Sequence, residues 1–418
     1  MADKGETEGM LSPYRVLDLT DEKGLICSKM LGDLGADVIK IERPGGDPAR
    51  NQGPFYHDEV DPEKSLFWFA HNTSKRSITL DIEPADGQEL LKRLVKGADF
   101  VIESFPPGYL DKLGLGYRAL EKLNPGIIMV SITPFGQTGP YKDYKAPGIV
   151  AGALGGVIDQ FDDIDRPPTW VIGHHSQAYL HAGTEAAAAA MMALYYRGIT
   201  GEGQQVDVSI QECGTRGANL SVANWQAMKA GRSLRTGMGR SVFTRRMWPC
   251  KDGYIMWFWA FGAQAKRRNQ PLLQWIDEAG MSTDFLRGFD WDAFDLRSAT
   301  QETINRLIEP TEKFFMAHTK AELFDGAMKR RIMLYPVSTT KDILESVQLG
   351  AREFWAEVEH PELGTTITYP GAFVNASETP PRISRRAPLI GEHNDEVYEK
   401  ELGISREELV RLEQARVI

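Results

Sequence analysis

The sequence is poor in the residues that mark several common kinds of protein. Only three of its 418 residues are cysteine. Cys27, Cys213 and Cys250 are scattered, with neither zinc-ligand spacing nor the pairing of a disulfide framework. Basic residues are outnumbered, 48 Lys and Arg against 58 Asp and Glu, for a net charge of −10. Such a chain lacks the broad basic face that nucleic acid requires, although a local basic cluster suffices for a smaller polyanion. No apolar run reaches the length of a membrane-spanning helix. The opening MADKGETEGM is charged and holds no apolar stretch of the kind a secretory signal carries. We therefore expect a cytoplasmic protein with neither nucleic acid nor membrane as a partner. Internal repeats and low-complexity segments are missing, as is the Gly-x-Gly-x-x-Gly fingerprint of dinucleotide-binding dehydrogenases.

What is present is an ordinary globular composition, 42% hydrophobic and 25% charged, in a chain long enough for two domains. Strands are predicted over 15–19, 37–42, 77–81, 100–103 and 127–132, with helices over 25–34 and 117–123 and another carrying Leu90, Leu91 and Leu94. This alternation predicts an α/β domain with a parallel sheet, whose ligands lie at the carboxyl ends of the strands. Near Asn219 the alternation stops, and six of the nine tryptophans fall between 225 and 291. We expect residues 1–218 to begin a large α/β domain, 219–331 to form an inserted smaller α+β domain, and 332–418 to return to the large one. Within the insert, 254–259 reads as a strand or buried segment and 303–318 as a helix. A last helix over 405–414 has Ser405 as cap and Glu408 in the capping-box position.

The stretch Pro167–Ile210 organises the rest. Residues 182–196, AGTEAAAAAMMALYY, are strong helix formers with little charge, so the helix should be buried on most sides. Gly198 and Gly201 should stop it, and 205–210 alternates as a half-buried strand does. The loop before the helix points at its N-terminus, which makes that loop a place for a site.

These residues also carry a resemblance. The small-residue helix followed by TGEGQQVDVS, together with VLDLT, LGDLGADVIKIERPGGD, NTSKRSITLDI, ESFPPGYLDKLGLGY, LNPGIIMVSITPFGQTGPY and RAPLIGEHNDEVYEKELGI, is similar to the class III coenzyme A transferases and their neighbours, the alpha-methylacyl-CoA racemases. The resemblance implies an interlocked ring-like dimer, a CoA thioester as substrate with no permanently bound cofactor, and transfer of CoA from an acyl-CoA such as succinyl-CoA to a carboxylate acceptor of the benzylsuccinate kind. It also implies an aspartate nucleophile before the small-residue helix. That position holds Tyr179, or Gln177 if two residues are inserted, and no Asp or Glu occurs between Asp165 and Glu185. A phenol has no carbonyl with which to become an acyl carrier, so the expectation is a non-catalytic subunit paired with a paralogous chain that bears the aspartate. The alternative is a stand-alone acyl-CoA binding or regulatory protein without turnover. Racemase chemistry would need the same aspartate as half of an acid/base pair.

By the same resemblance, Arg43, Lys145, Lys112, Lys23 and Ser104 are candidate CoA contacts. Arg43 suits both phosphate pairing and adenine stacking. Lys112 stands where the family often has arginine, and Ser104 where asparagine is usual. Two acids in the loop Asp21-Glu22-Lys23-Gly24 oppose phosphate, with Lys23 and backbone amides as compensation. Arg245 and Arg246 are candidates for holding a dicarboxylate substrate, or else a solvated basic patch. His174, His175 and His181 lack the spacing and companions of a metal site; His175 is read as lining the substrate pocket or as packing.

Overall fold

In the computed structural model, which describes residues 9–156, 177–217, 226, 244–296 and 298–418, the first half of the chain alternates strand and helix. The elements are β1 (Arg15–Leu19), α1 (Leu25–Asp33), β2 (Asp37–Glu42), α2 (Leu66–Asn72), β3 (Lys75–Thr79), α3 (Ala85–Val95) and β4 (Phe100–Glu103). Then come α4 (Tyr109–Lys112), α5 (Tyr117–Leu123), β5 (Ile128–Thr133), α6 (Gly148–Leu154), α7 (Gln177–Thr200), β6 (Gln205–Ser209) and α8 (Ile210–Gly217). The strands form one parallel sheet in the order β3-β2-β1-β4-β5-β6. The order reverses between β1 and β4, so the loops that follow these two strands part to opposite sides and leave a crevice.

Alternation along the strands sorts residues onto two cores. Leu17, Ile39, Val101 and Met129 pack with α3, α5 and the C-terminal segment. Val16, Val38, Phe100, Ile128 and Val130 pack with α1 and α7 on the other face. Both faces are covered, as a parallel sheet requires. β3 starts at Lys75 rather than at the predicted Ser77 because Lys75 and Arg76, polar in sequence, are buried and ion-paired within the strand.

The α7 helix differs from expectation in three ways. It starts no later than Gln177, so Gln177 and Tyr179 lie on its first turn rather than in a loop. It runs through Gly198 to Thr200, and Gly201 follows at φ +79°. It is also not buried on most sides: Ala182, Ala186, Ala190 and Ala193 face the core, whereas Met192, Tyr195 and Ile199 are 67%, 75% and 69% exposed. Gly183 allows the close approach to α1, where a Cβ would lie 2.0 Å from Ile26 Cγ2.

Described residues 226–350 form a second compact unit, and residues 351–418 return to the first. The second unit holds β7 (Met247–Cys250), β8 (Gly253–Met256) and β9 (Tyr335–Pro336) in an antiparallel sheet. Trp248, Trp257, Trp259 and Trp291 share its core with helices at Ala265–Glu278 and Gln301–Met316. The chain returns later than position 332 because Tyr335 and Pro336 pair with β8. The returning segment makes a hairpin, β10 (Trp355–His360) with β11 (Thr365–Pro370). It then closes the open edge of β3, where His393 Nδ1 and Asn394 Oδ1 accept from the backbone N–H groups of Ser77 and Thr79 at 3.2 and 2.9 Å. Ser405 caps the last helix, Arg406–Gln414, by accepting from Glu408 N–H, while the Glu408 carboxylate pairs with Arg411 instead of completing a capping box.

Candidate functional site

The carboxyl ends of five strands surround a crevice of about 580 Å³. The loop after β1 contributes Thr20, Asp21, Glu22 and Lys23, and the turn after β2 contributes Arg43, Asp47 and Pro48. Leu80 and Ile82 follow β3, Ser104 to Pro107 follow β4, and Lys142 to Pro147 follow β5. Tyr179 closes the wall from the first turn of α7. A crevice at the switch point of a parallel sheet is where this architecture holds ligands.

The β1 loop is fixed from beneath by a buried charge network. Asp18, at the end of β1, accepts from Lys75 Nζ at 2.9 Å, from the Ser28 hydroxyl, and from Thr20 N–H and Oγ1–H at 2.9 and 2.7 Å. Lys40 donates to the Thr20 carbonyl and pairs with Asp47 at 3.0 Å. Lys75 also donates to Leu25 O and Asn72 Oδ1. Asp18, Lys40 and Lys75 are fully buried. Burial alone would raise the Asp18 carboxyl, but Lys75 and Lys40 outweigh it and hold the group down at about 2. Burial lowers Lys75 to about 8 against the pull of Asp18, which it shares with Lys40. The sequence signal was available: lysines inside DVIKIE and KRSIT, in strands covered on both faces, must find buried partners.

Above this floor, Asp21 is already neutralised. Its carboxylate takes the Lys23 ammonium, the Lys23 N–H at 3.2 Å and the Ser104 hydroxyl at 2.8 Å. Ser104 in turn accepts from Asp21 N–H at 2.9 Å. Lys23 and Ser104 thus hold the loop as well as line the crevice. Glu22 has no ion-pair partner among the described residues, and burial together with Asp21 raises its carboxyl. The Tyr179 phenol accepts from Gly148 N–H, while burial, then Glu22 and Asp21, push its ionisation well above the usual tyrosine value. It stays protonated at neutral pH.

Arg43 and Lys145 line the same crevice. Arg43 is exposed and touches Glu83 Oε1 at 3.2 Å and Tyr109 Oη at 3.5 Å. Lys142 and Lys145 are exposed and have no ion-pair partner among the described residues. Lys112 ends α4, is exposed and does not line the crevice. Gln177 is exposed. Arg245 and Arg246 belong to the second unit, where Arg245 pairs with Glu312 at 2.6 Å and lies over Trp248. His175 lies outside the described residues. Glu185 bonds Arg216 at 3.2 Å and the Cys213 thiol. Lys142 and Tyr144 were missed by sequence reasoning because nothing in a polar loop indicates which residues turn inward.

Among the described residues no group of three or more His, Cys, Asp or Glu side chains could hold a metal ion, and no helix is long and apolar enough to cross a membrane.

The sequence model of CoA-transferase family III matches residues 11–394. The chain belongs to CoA-transferase family III. Among curated family members it is 34% identical to the BbsE subunit of succinyl-CoA:(R)-benzylsuccinate CoA-transferase from Thauera aromatica, over 92% of this chain and 93% of that one. It is 32% identical to succinyl-CoA–D-citramalate CoA-transferase from Chloroflexus aurantiacus, over 98% of each. The crystal structure of a CAIB/BAIF family protein from Brucella suis superposes with a TM-score of 0.78 at 27% identity, covering 94% of this chain and all of that one. Of the two positions where the resemblance implied an aspartate, Tyr179 on the first turn of α7 lines the crevice and Gln177 is exposed.

One buried acid makes a separate prediction. Glu103, at the end of β4, accepts from Phe105 N–H at 2.7 Å and from Ser131, yet burial pushes its carboxyl up to about 7. The folded state therefore keeps a proton that the unfolded state releases near 4.5. Stability from this group is present at low pH and is lost as pH rises from about 4.5 through 7, by roughly 3 kcal/mol. Glu103→Gln should flatten that slope in urea melts at pH 5, 6, 7 and 8.

Proposed function

We propose that this chain is the subunit of a heteromeric CoA-transferase that binds coenzyme A but does not carry the acyl group. The observation that carries this reading is Tyr179, a protonated phenol in the crevice wall, within a stretch that has no carboxylate between Asp165 and Glu185. In transfer of this class a carboxylate attacks the donor thioester, giving a mixed anhydride and CoA thiolate. The thiolate then attacks the enzyme's acyl carbon, releasing the donor acid and leaving an enzyme thioester. An acceptor carboxylate repeats the two steps in reverse, and only Asp or Glu can serve throughout. The aspartate is assigned to a paralogous partner. The exposed stripe of Met192, Tyr195 and Ile199 on α7 supports a partner chain, since apolar side chains spaced one turn apart are stable when covered.

Arg43, Lys145, Lys23 and Ser104 are the proposed CoA contacts, with the succinyl-CoA users among the relatives supporting succinyl-CoA as donor for the complex. The acceptor is a dicarboxylate of the benzylsuccinate kind, with Arg245 and Arg246 as its proposed clamp. The experiment is to purify the chain alone and with its candidate partner, then follow CoA exchange from succinyl-CoA. Hydroxylamine trapping with mass spectrometry should find an adduct on the partner alone. Turnover by the isolated chain, with an adduct on its own residues, overturns the reading.

A further inference from the structure

The crevice is electrically divided. Among the described lining residues, the exposed cations Arg43, Lys142 and Lys145 outnumber the one exposed acid, Asp143, and so mark the rim, whereas Glu22 and Tyr179 are half-buried and belong to the interior. A phosphate-bearing ligand leaves its phosphates at the rim and sends its thiol end inward. Among the described lining residues the one half-buried cation, Lys23, is paired with Asp21, which the Ser104 hydroxyl also engages. Glu22 has no ion-pair partner among the described residues, feels Lys23 only at a distance, and lines a crevice whose wall also holds Leu19, Ile41 and Leu80, where low polarisability strengthens repulsion.

Resting on the reading of this crevice as a CoA site, we infer that it takes CoA as the free thiol or as the thioester of an uncharged acyl group, and rejects thioesters whose acyl chain ends in a carboxylate. Glu22 is the discriminating residue. The apolar wall accommodates an alkyl chain, and the Tyr179 hydroxyl, which accepts from Gly148 N–H, keeps its own proton to offer to a thioester carbonyl. A succinyl carboxylate in the same place meets Glu22, and among the described residues the nearest cation, Lys23, is already paired with Asp21. Within the complex, the succinyl thioester then belongs in the partner's crevice and this one reports on CoA or its uncharged esters.

The test compares butyryl-CoA with succinyl-CoA, which match in chain length and differ in the terminal charge, by titration calorimetry on the full-length chain. Succinyl-CoA should bind at least about tenfold more weakly. Glu22→Gln should bring the two within about threefold. Asp21→Asn, which releases Lys23 to meet the succinyl carboxylate, should narrow the gap from the other side and carries the test if Glu22→Gln does not fold. Equal binding of the two esters to the unaltered chain overturns the inference, as does a gap that survives in a folded variant, or no binding of any CoA species. None of these readings needs turnover. Equal binding, or a gap that survives in a folded variant, leaves the subunit assignment standing; no binding of any CoA species overturns both readings, and turnover by the isolated chain would end that assignment without touching the selectivity.

Discussion

Asp18→Ala is expected to lower stability by about 3–5 kcal/mol, because it leaves Lys75 buried with no carboxylate partner. Lys75 keeps only Leu25 O and Asn72 Oδ1, whereas Lys40 retains Asp47. The loss should show as a lower urea midpoint with unchanged m. The double variant Asp18→Ala with Lys75→Met should recover much of it, since removing both halves of a buried pair strands no charge. A pH signature accompanies the change. With the folded carboxyl held at about 2 and the unfolded one near 4, Asp18 contributes stability above pH 4 that is lost as pH falls towards 2. The variant should lack that acid-limb loss. Because Asp18 also holds Thr20, immediately before Asp21 and Glu22, CoA binding in surviving folded protein should weaken as well. A variant as stable as the parent would mean that the network under the loop contributes nothing net.

Arg43→Ala should cost about 1.5–3 kcal/mol of CoA affinity, roughly 10- to 150-fold in Kd, the scale of charged hydrogen bonds to phosphate. Its present partners, Glu83 and Tyr109, lie at 3.2 and 3.5 Å and are exposed enough to release it to a ligand. Arg43→Lys should recover only part of the affinity, because an ammonium cannot make the two-pronged contact. Lys145→Ala should cost less, about 1 kcal/mol, and the loss should shrink as salt rises, since this side chain is exposed and screened. Lys112→Ala should change nothing, as its side chain does not line the crevice. Calorimetric titration with CoA at two salt concentrations checks all four. An unchanged affinity in Arg43→Ala would remove the residue from the site.

Local sequence was enough for the parallel sheet and the place of its crevice. VLDL, DVIKIE and FVIE are short apolar strands between helix-forming segments, and such alternation has few foldable arrangements. That no Asp or Glu stands between Asp165 and Glu185 is likewise a matter of counting residues. Periodicity could not show that Lys40, Lys75 and Asp18 share one buried network, because their partners lie up to 57 positions away. Nor could it show that α7 exposes Met192, Tyr195 and Ile199, since the uncharged stretch 186–196 has no polar face that sequence can mark as outer. The charge of the crevice depended most on tertiary structure. Read as letters, Asp21-Glu22-Lys23 is a loop of net charge −1 that repels phosphate. Folded, Lys23 and Ser104 engage Asp21, the cations of two separate loops, Arg43 after β2 and Lys142 and Lys145 after β5, line the rim, and Glu22 keeps no ion-pair partner among the described residues. Electrostatic energy depends on distance and on burial, and for these residues the tertiary fold sets both.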